Sequence, residues 1–279
     1  MTKQEYLNTP IVTEFIEWLS PLLDIKFTHS YIIHQRNASW VRYNGGNNIW
    51  NCTSIYDAFV KYYWEGSNFA ATSILLNGYE VSLRTALATN NNTNIDLACQ
   101  NILKWGGQRV FTPNYEWIQK LPNLSNYFNA KITALNPITF NDDKILVRAN
   151  GVDRFNAGFT KIYSLCIDNF IIYDSRVGLA LCNLISQFLI INGITNIPKE
   201  LHFKIPPGSS DTRHPKLING FAFGKTNGNI SQYQICNLRS SWLFEEIIQQ
   251  NPNSQFNLLP VAKRVRALEA AFFMIGYSI

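Results

Sequence analysis

The 279-residue chain has no run of about eighteen apolar residues, and its first residues (MTKQEYLNTP) lack the apolar centre of a signal peptide. The expectation is a cytoplasmic protein with no membrane partner. Cysteine is sparse: Cys52, Cys99, Cys166, Cys182 and Cys236 form no CxxC pair and no Cys/His cluster. That argues against a disulfide scaffold, a structural zinc or an iron–sulfur cluster, and for reduced core thiols. Histidines stand only at 29, 34, 202 and 214, without metal-ligand spacing, and no DxD or ExK carboxylate cluster appears. A metal-dependent nuclease is therefore disfavoured. No Walker, kinase or dinucleotide fingerprint occurs, so neither a metal nor a nucleotide cofactor is expected. Strand–helix–strand alternation and internal repeats are also missing, which disfavours Rossmann and TIM-barrel architectures. Charge is low, with 15% charged residues and a net +5. That balance permits nucleic-acid binding through a local basic patch without requiring it.

What the chain does contain is apolar and aromatic mass, 46% hydrophobic and 14% aromatic, enough for one large domain or two lobes sharing a cleft. The pattern is mainly α. Thr9-Pro10 reads as N-cap and first helical position, with Ile11, Phe15, Trp18 and Leu19 on one face. Residues 25–33 alternate, and Asn44-Gly45-Gly46 follows a second aromatic run, which predicts minor β near residues 25–45. Ser54 and Asp57 form a capping box for a helix running to Gly66. NFAATSILLNGYEVSLRTALA and IDLACQNILKW are helical, separated by the asparagine run at 90–92, and the second ends at Gly106-Gly107. Prolines 113, 122 and 137 punctuate residues 112–140. A helix over 175–192, an irregular stretch holding PPGSSDTRHP, and helices from Ser241 and Pro260 complete the chain as a single domain over 1–279.

Residues 159–181, FTKIYSLCIDNFIIYDSRVGLAL, carry the chemistry. Phe159, Ile162, Tyr163 and Cys166 recur at helical spacing, and Lys161 lies off that stripe, where a solvated helix face is the plainer reading. Asp174 or Ser175 is a natural N-cap for the next helix, because its oxygen can accept the unpaired N–H groups of the first turn. Together the two helices form a helix–turn–helix whose turn delivers a carboxylate to one defined place.

This segment resembles the helix-hairpin-helix superfamily of DNA glycosylases over roughly residues 145–192, through Gly158, Lys161 and the run Tyr173-Asp174-Ser175-Arg176-Val177. Thr160 to Tyr163, Ile172 to Val177, Lys104 to Gly107 (KWGG) and Glu269 to Gly276 are also similar to patterns of a bacterial group of such enzymes. The resemblance implies a two-lobed helical fold with a cleft. It further implies that the enzyme flips a base out of double-stranded DNA and cleaves its glycosidic bond as a monomer without cofactor. Asp174 would be the catalytic carboxylate, stabilising positive charge on the sugar and orienting water, and Lys161 a second catalytic candidate. Only one glycine, Gly158, stands where the family's hairpin has two, and Lys161 and Asp174 are thirteen positions apart, closer than in the family. Hydrolysis without a lysine–sugar intermediate is the resulting expectation. Arg148, Arg154, Gly158, Thr160 and Arg176 are candidate DNA contacts. So are Lys263, Arg264 and Arg266, which crowd the start of the last helix, where the dipole disfavours cations; pairing of Arg266 with Glu269 is the alternative. Tyr56, Trp64, Trp105, Gln108 and Tyr173 are candidate walls of the base pocket, against simple core packing. The resemblance extends to bacterial glycosylases that attack phage DNA with hypermodified bases, including glucosylated hydroxymethylcytosine. A base-excision repair glycosylase and a non-catalytic DNA-binding protein on the same scaffold remain the alternatives.

Overall fold

The structure, a computed structural model, describes residues 1–34, 37–140, 154–208, 215–226 and 228–279; Arg148 lies outside them. Among the described residues the fold is mainly α, with twelve α-helices and one two-stranded sheet, and none of the helices is long and apolar enough to cross a membrane. All five cysteines are buried and unpaired.

Helix α1 (Lys3–Leu7) is closed by a capping box between Thr2 and Glu5, and α2 (Pro10–Leu19) starts on its proline as the sequence predicts. Helix α2 buries Val12, Phe15, Ile16 and Leu19. Strands β1 (His29–Ile32) and β2 (Ile49–Cys52) pair antiparallel, and α3 (Ala38–Tyr43) lies between them. The ribbon is therefore displaced from the predicted 25–45: its second strand follows Asn44-Gly45-Gly46, whose glycines take φ of 66° and 83°. Cross-strand aromatics select that register, since Tyr31 stacks on Trp50 with centroids 4.7 Å apart.

Helix α4 (Ile55–Val60) starts where Ser54 accepts the Asp57 N–H, but the Asp57 carboxylate turns to the backbone of Thr53 rather than closing the box. It stops short of Gly66 because Tyr62 and Tyr63 turn into the core and a tight turn pairs Trp64 with Ser67. Asparagine side chains open the next long helices: Asn68 caps α5 (Phe69–Ala88) and Asn91 caps α6 (Asn92–Trp105). Helix α7 (Gln108–Ile118) follows from Gly107 at φ 96° and contains Pro113 within its length, and Asn123 caps α8 (Leu124–Ala134).

The core is built around α9 (Ala157–Cys166) and α10 (Ser175–Ile191). Every residue from Gly158 to Cys166 is buried, so α9 has no solvated face and Lys161 is enclosed with the rest. Helix α11 (Ile230–Gln250) begins eleven residues before the expected Ser241, capped by Asn229. Ser241 sits inside it, its hydroxyl donating to the Asn237 carbonyl one turn back. Helix α12 (Val261–Ile275) closes the chain, packing on α4, α10 and α11.

Candidate active site

After a turn at Asp168 and Asn169, the rest of the link between α9 and α10, residues 170–173, is buried, a costly place for unpaired peptide groups. Side chains of α11 and α12 satisfy it. Ser241 Oγ accepts the Ile171 N–H at 3.2 Å, and Asn237 donates to the Ile171 carbonyl at 2.9 Å. Glu269 Oε2 accepts the Ile172 N–H at 2.7 Å, and the Tyr233 hydroxyl donates to the Tyr173 carbonyl at 2.5 Å. Four such bonds, each contributing on the order of 1 kcal/mol, hold the segment that ends in Asp174. There the chain turns into α10, and Asp174 Oδ1 accepts the N–H groups of Arg176 and Val177 at 2.9 and 3.0 Å. The cap reading of Asp174 is therefore realised, and it spends one carboxylate oxygen. Two glycines admit the turn. A Cβ on Gly276 would overlap the Arg176 carbonyl, and one on Gly178 would lie 2.7 Å from Pro206 Cδ.

Lys161 reaches the same place from α9. Its side chain passes over Gly106, where a Cβ would come within 2.9 Å of Lys161 Cδ, and its Nζ donates to the Ala157 carbonyl at 3.1 Å. Burial pushes its pKa below the ordinary value, while the carboxylates of Asp174 and Glu269 pull it back up. The thirteen-residue spacing thus does not keep the two groups apart.

Both residues stand where two cavities meet. An open cleft of about 970 Å³ runs past Gly107, Gln108, Arg109, Arg176, Gly208 and Tyr277. A second cavity of about 600 Å³ goes inward between α5 and α12, past Thr72, Trp105, Ile172, Arg266 and Glu269. Trp64, Lys161, Asp174 and Phe273 line both. The Arg176 guanidinium lies over the Phe273 ring at 4.2 Å and the Tyr277 ring at 5.0 Å. At the inner wall, Glu269 is buried and pairs with Arg266 at 2.6 Å, and Arg266 also donates to the Ser164 carbonyl. Burial raises the Glu269 pKa, and the Arg266 charge opposes it.

Of the residues singled out from the sequence, Asp174, Lys161, Arg176, Trp64, Trp105 and Gln108 come together around these cavities, with Lys263 exposed at the rim of the inner one. Others do not. Thr160 is fully buried and donates to the Ala157 carbonyl, so it offers nothing to a phosphate. Gly158 is buried at the α7–α9 crossing, where a Cβ would overlap the Asn114 side chain. Arg154 donates to Asn114 Oδ1, and burial lowers its pKa. Arg264 binds Asn257 and the Leu259 carbonyl, closing the turn before α12, and Arg266 is held by Glu269 and Ser164. Internal pairing, the alternative for Arg266, is what the structure contains. Tyr56 packs on Phe59 and Phe256 away from both cavities. Tyr173 is fully buried, its hydroxyl bonded to the Lys204 carbonyl.

Glu269, Gly106, Gly276, Phe273 and Tyr277 were not assigned to the site from sequence, although KWGG and the segment from Glu269 to Gly276 contain four of them. The signal was a charged residue on an otherwise apolar helical stripe and glycines at helix ends, which sequence reading takes for a surface pair and stop signals. No family model, no curated protein and no solved structure matches the chain.

Proposed function

We propose that the protein is a DNA glycosylase on a helix-hairpin-helix glycosylase-like scaffold, flipping a modified base and hydrolysing its N-glycosidic bond to leave an abasic site. The observation that carries this reading is the placement of one fixed carboxylate, Asp174, at the neck between an open cleft and a side cavity. The cleft takes the duplex, with Arg109, Arg176 and the N-terminus of α7 facing the backbone. The inner cavity takes the extruded base, with Trp64, Trp105 and Phe273 as stacking walls. The sugar then lies at Asp174. Departure of the base leaves positive charge on the deoxyribose, and a carboxylate already oriented by two backbone N–H groups stabilises it without reorganising. Its second oxygen aligns the water that adds to C1′.

Lys161 supports a second form of the same step. Burial favours its neutral amine, which can attack C1′ and expel the base with one amine proton; the C1′–O4′ bond then breaks, O4′ takes the second amine proton, and the opened sugar is held as a Schiff base. The substrate in this reading is phage DNA carrying bulky modified bases, for example glucosylated cytosine, and the protein acts as a monomer in antiphage defence. An inner cavity of about 600 Å³ is within the range of pockets that hold whole small-molecule ligands.

The test incubates purified protein with sugar-modified phage DNA and with unmodified DNA, counts abasic sites and identifies released bases by mass spectrometry. Abasic sites in the modified DNA alone, abolished by Asp174→Asn, are expected. Equal attack on both DNAs, or release of only uracil, 8-oxoguanine or alkylated purines, would return the protein to ordinary base repair. Binding of DNA without release of any base would leave a binding module.

A further inference from the structure

The inner cavity contains a charge that the cleavage step does not use. Glu269 is only 6% exposed, yet it lines the cavity beside Trp105 and Phe273. Its Oε2 accepts the Ile172 N–H and an Arg266 N–H, while Oε1 has no hydrogen-bond partner among the described residues. Burial raises the Glu269 pKa, but the Arg266 guanidinium and the Ile172 N–H, both on Oε2, favour the charged, acceptor-only form and leave the other oxygen aimed away from them. A carboxylate oxygen that lines a cavity without a protein partner is a ready acceptor for a donor on a ligand.

We propose that Glu269 is a specificity-determining residue that reads the exocyclic amine of the flipped base, so the cavity takes amino-bearing bases of the cytosine or adenine type and rejects their keto counterparts. An ionised carboxylate only accepts hydrogen bonds. Cytosine N4 and adenine N6 are donors, and acceptance from cytosine N4 is a standard role for glutamate. Uracil and hypoxanthine place a carbonyl oxygen at the same position, which sets acceptor against acceptor and leaves the carboxylate unpaired. A site built around a buried polar group discriminates most strongly against ligands that leave that group unmatched. Substituents at other ring positions are not restricted by this contact. The proposal deepens the glycosylase reading by naming the base class, and it rests on that reading for the placement of the base.

The test is fluorescence titration of the intact protein, through Trp64 and Trp105, with the free bases cytosine, uracil, adenine and hypoxanthine. Each pair differs at the group Glu269 would read. At least one amino base should bind about tenfold or more tightly than its keto partner. In Glu269→Gln that ratio should fall towards one, because the amide presents both a donor and an acceptor. Glutamine can still accept from Ile172 and Arg266, and a melting curve checks that the variant folds. Equal binding within both pairs by the wild-type protein overturns the proposal, as does a preference that survives in a folded Glu269→Gln protein or no quenching by any base. The wild-type comparison stands even if the variant does not fold. Selective base binding without abasic-site formation would sink the glycosylase reading alone. Base release that is blind to the amino group would sink only the role of Glu269.

Discussion

Replacing Gly276 with alanine adds one methyl group at the point where the end of α12 meets the start of α10. Gly276 has φ −80° and ψ 16°, a conformation open to any residue, so backbone preference contributes nothing to the cost. The methyl carbon, however, would overlap the carbonyl oxygen of Arg176 and lie 2.6 Å from its carbonyl carbon. Both partners are backbone, and the Arg176 end is fixed by the Asp174 cap, so one helix must move. Overpacking of this kind costs about 1–3 kcal/mol. The displaced element carries Asp174, and a shift of about 1 Å in a catalytic group can cost on the order of a hundredfold in rate. Gly78, exposed in the middle of α5, is the control: a Cβ there meets nothing within 4 Å. Gly78→Ala should stabilise the protein by about 0.5–1 kcal/mol through helix propensity. Urea denaturation should move the two midpoints in opposite directions, and base release should fall at least tenfold in Gly276→Ala only. A Gly276→Ala protein with wild-type midpoint and undiminished activity would refute the close approach on which the site's geometry depends.

Asp174→Asn should keep the cap and most of the stability while base release falls by about 10² or more; Asp174→Ala should lose release similarly and cost a further ~1 kcal/mol, because the Arg176 and Val177 N–H groups lose their acceptor. Equal activity in Asp174→Asn and wild type would reduce Asp174 to a cap. For Lys161, burial sets the folded-state pKa below the ordinary 10.5, so the unfolded chain binds more protons between the two values. Stability should therefore rise with pH across that window relative to Lys161→Met, and fall as pH drops through the folded-state value; parallel denaturation curves would contradict it. Borohydride trapping of a protein–DNA adduct that vanishes in Lys161→Gln would assign the step to the amine, and no trapping in an active protein would assign it to hydrolysis. Tyr233→Phe leaves the buried Tyr173 carbonyl without its donor and should cost about 1–3 kcal/mol, measured by thermal or urea unfolding.

Local rules were sufficient for much of the helical framework. Pro10 at the start of α2, the asparagines around 90–92 and Gly106-Gly107 after α6 act within a turn or two of their own position, and the structure uses them as the sequence suggests. Asp174 as a helix cap was legible for the same reason. Partner choice across the chain was not. The pairing of β1 with residues 49–52 is set by Tyr31 against Trp50, and the early end of α4 by Tyr62 and Tyr63 entering a core whose other half is distant in sequence. The site depends still more on such contacts. Lys161 reads as solvated because its neighbours at helical spacing form a stripe that excludes it, yet α5, α6 and α7 pack against α9 and leave it no solvated face. Glu269 and Gly276 become part of the site only because α12 crosses the link between α9 and α10, where a carboxylate meets the Ile172 amide and a missing Cβ admits the Arg176 carbonyl. Periodicity and caps record what a residue does to its own turn. What a side chain meets across the core depends on which helices pack together, and that is a property of the whole folded chain.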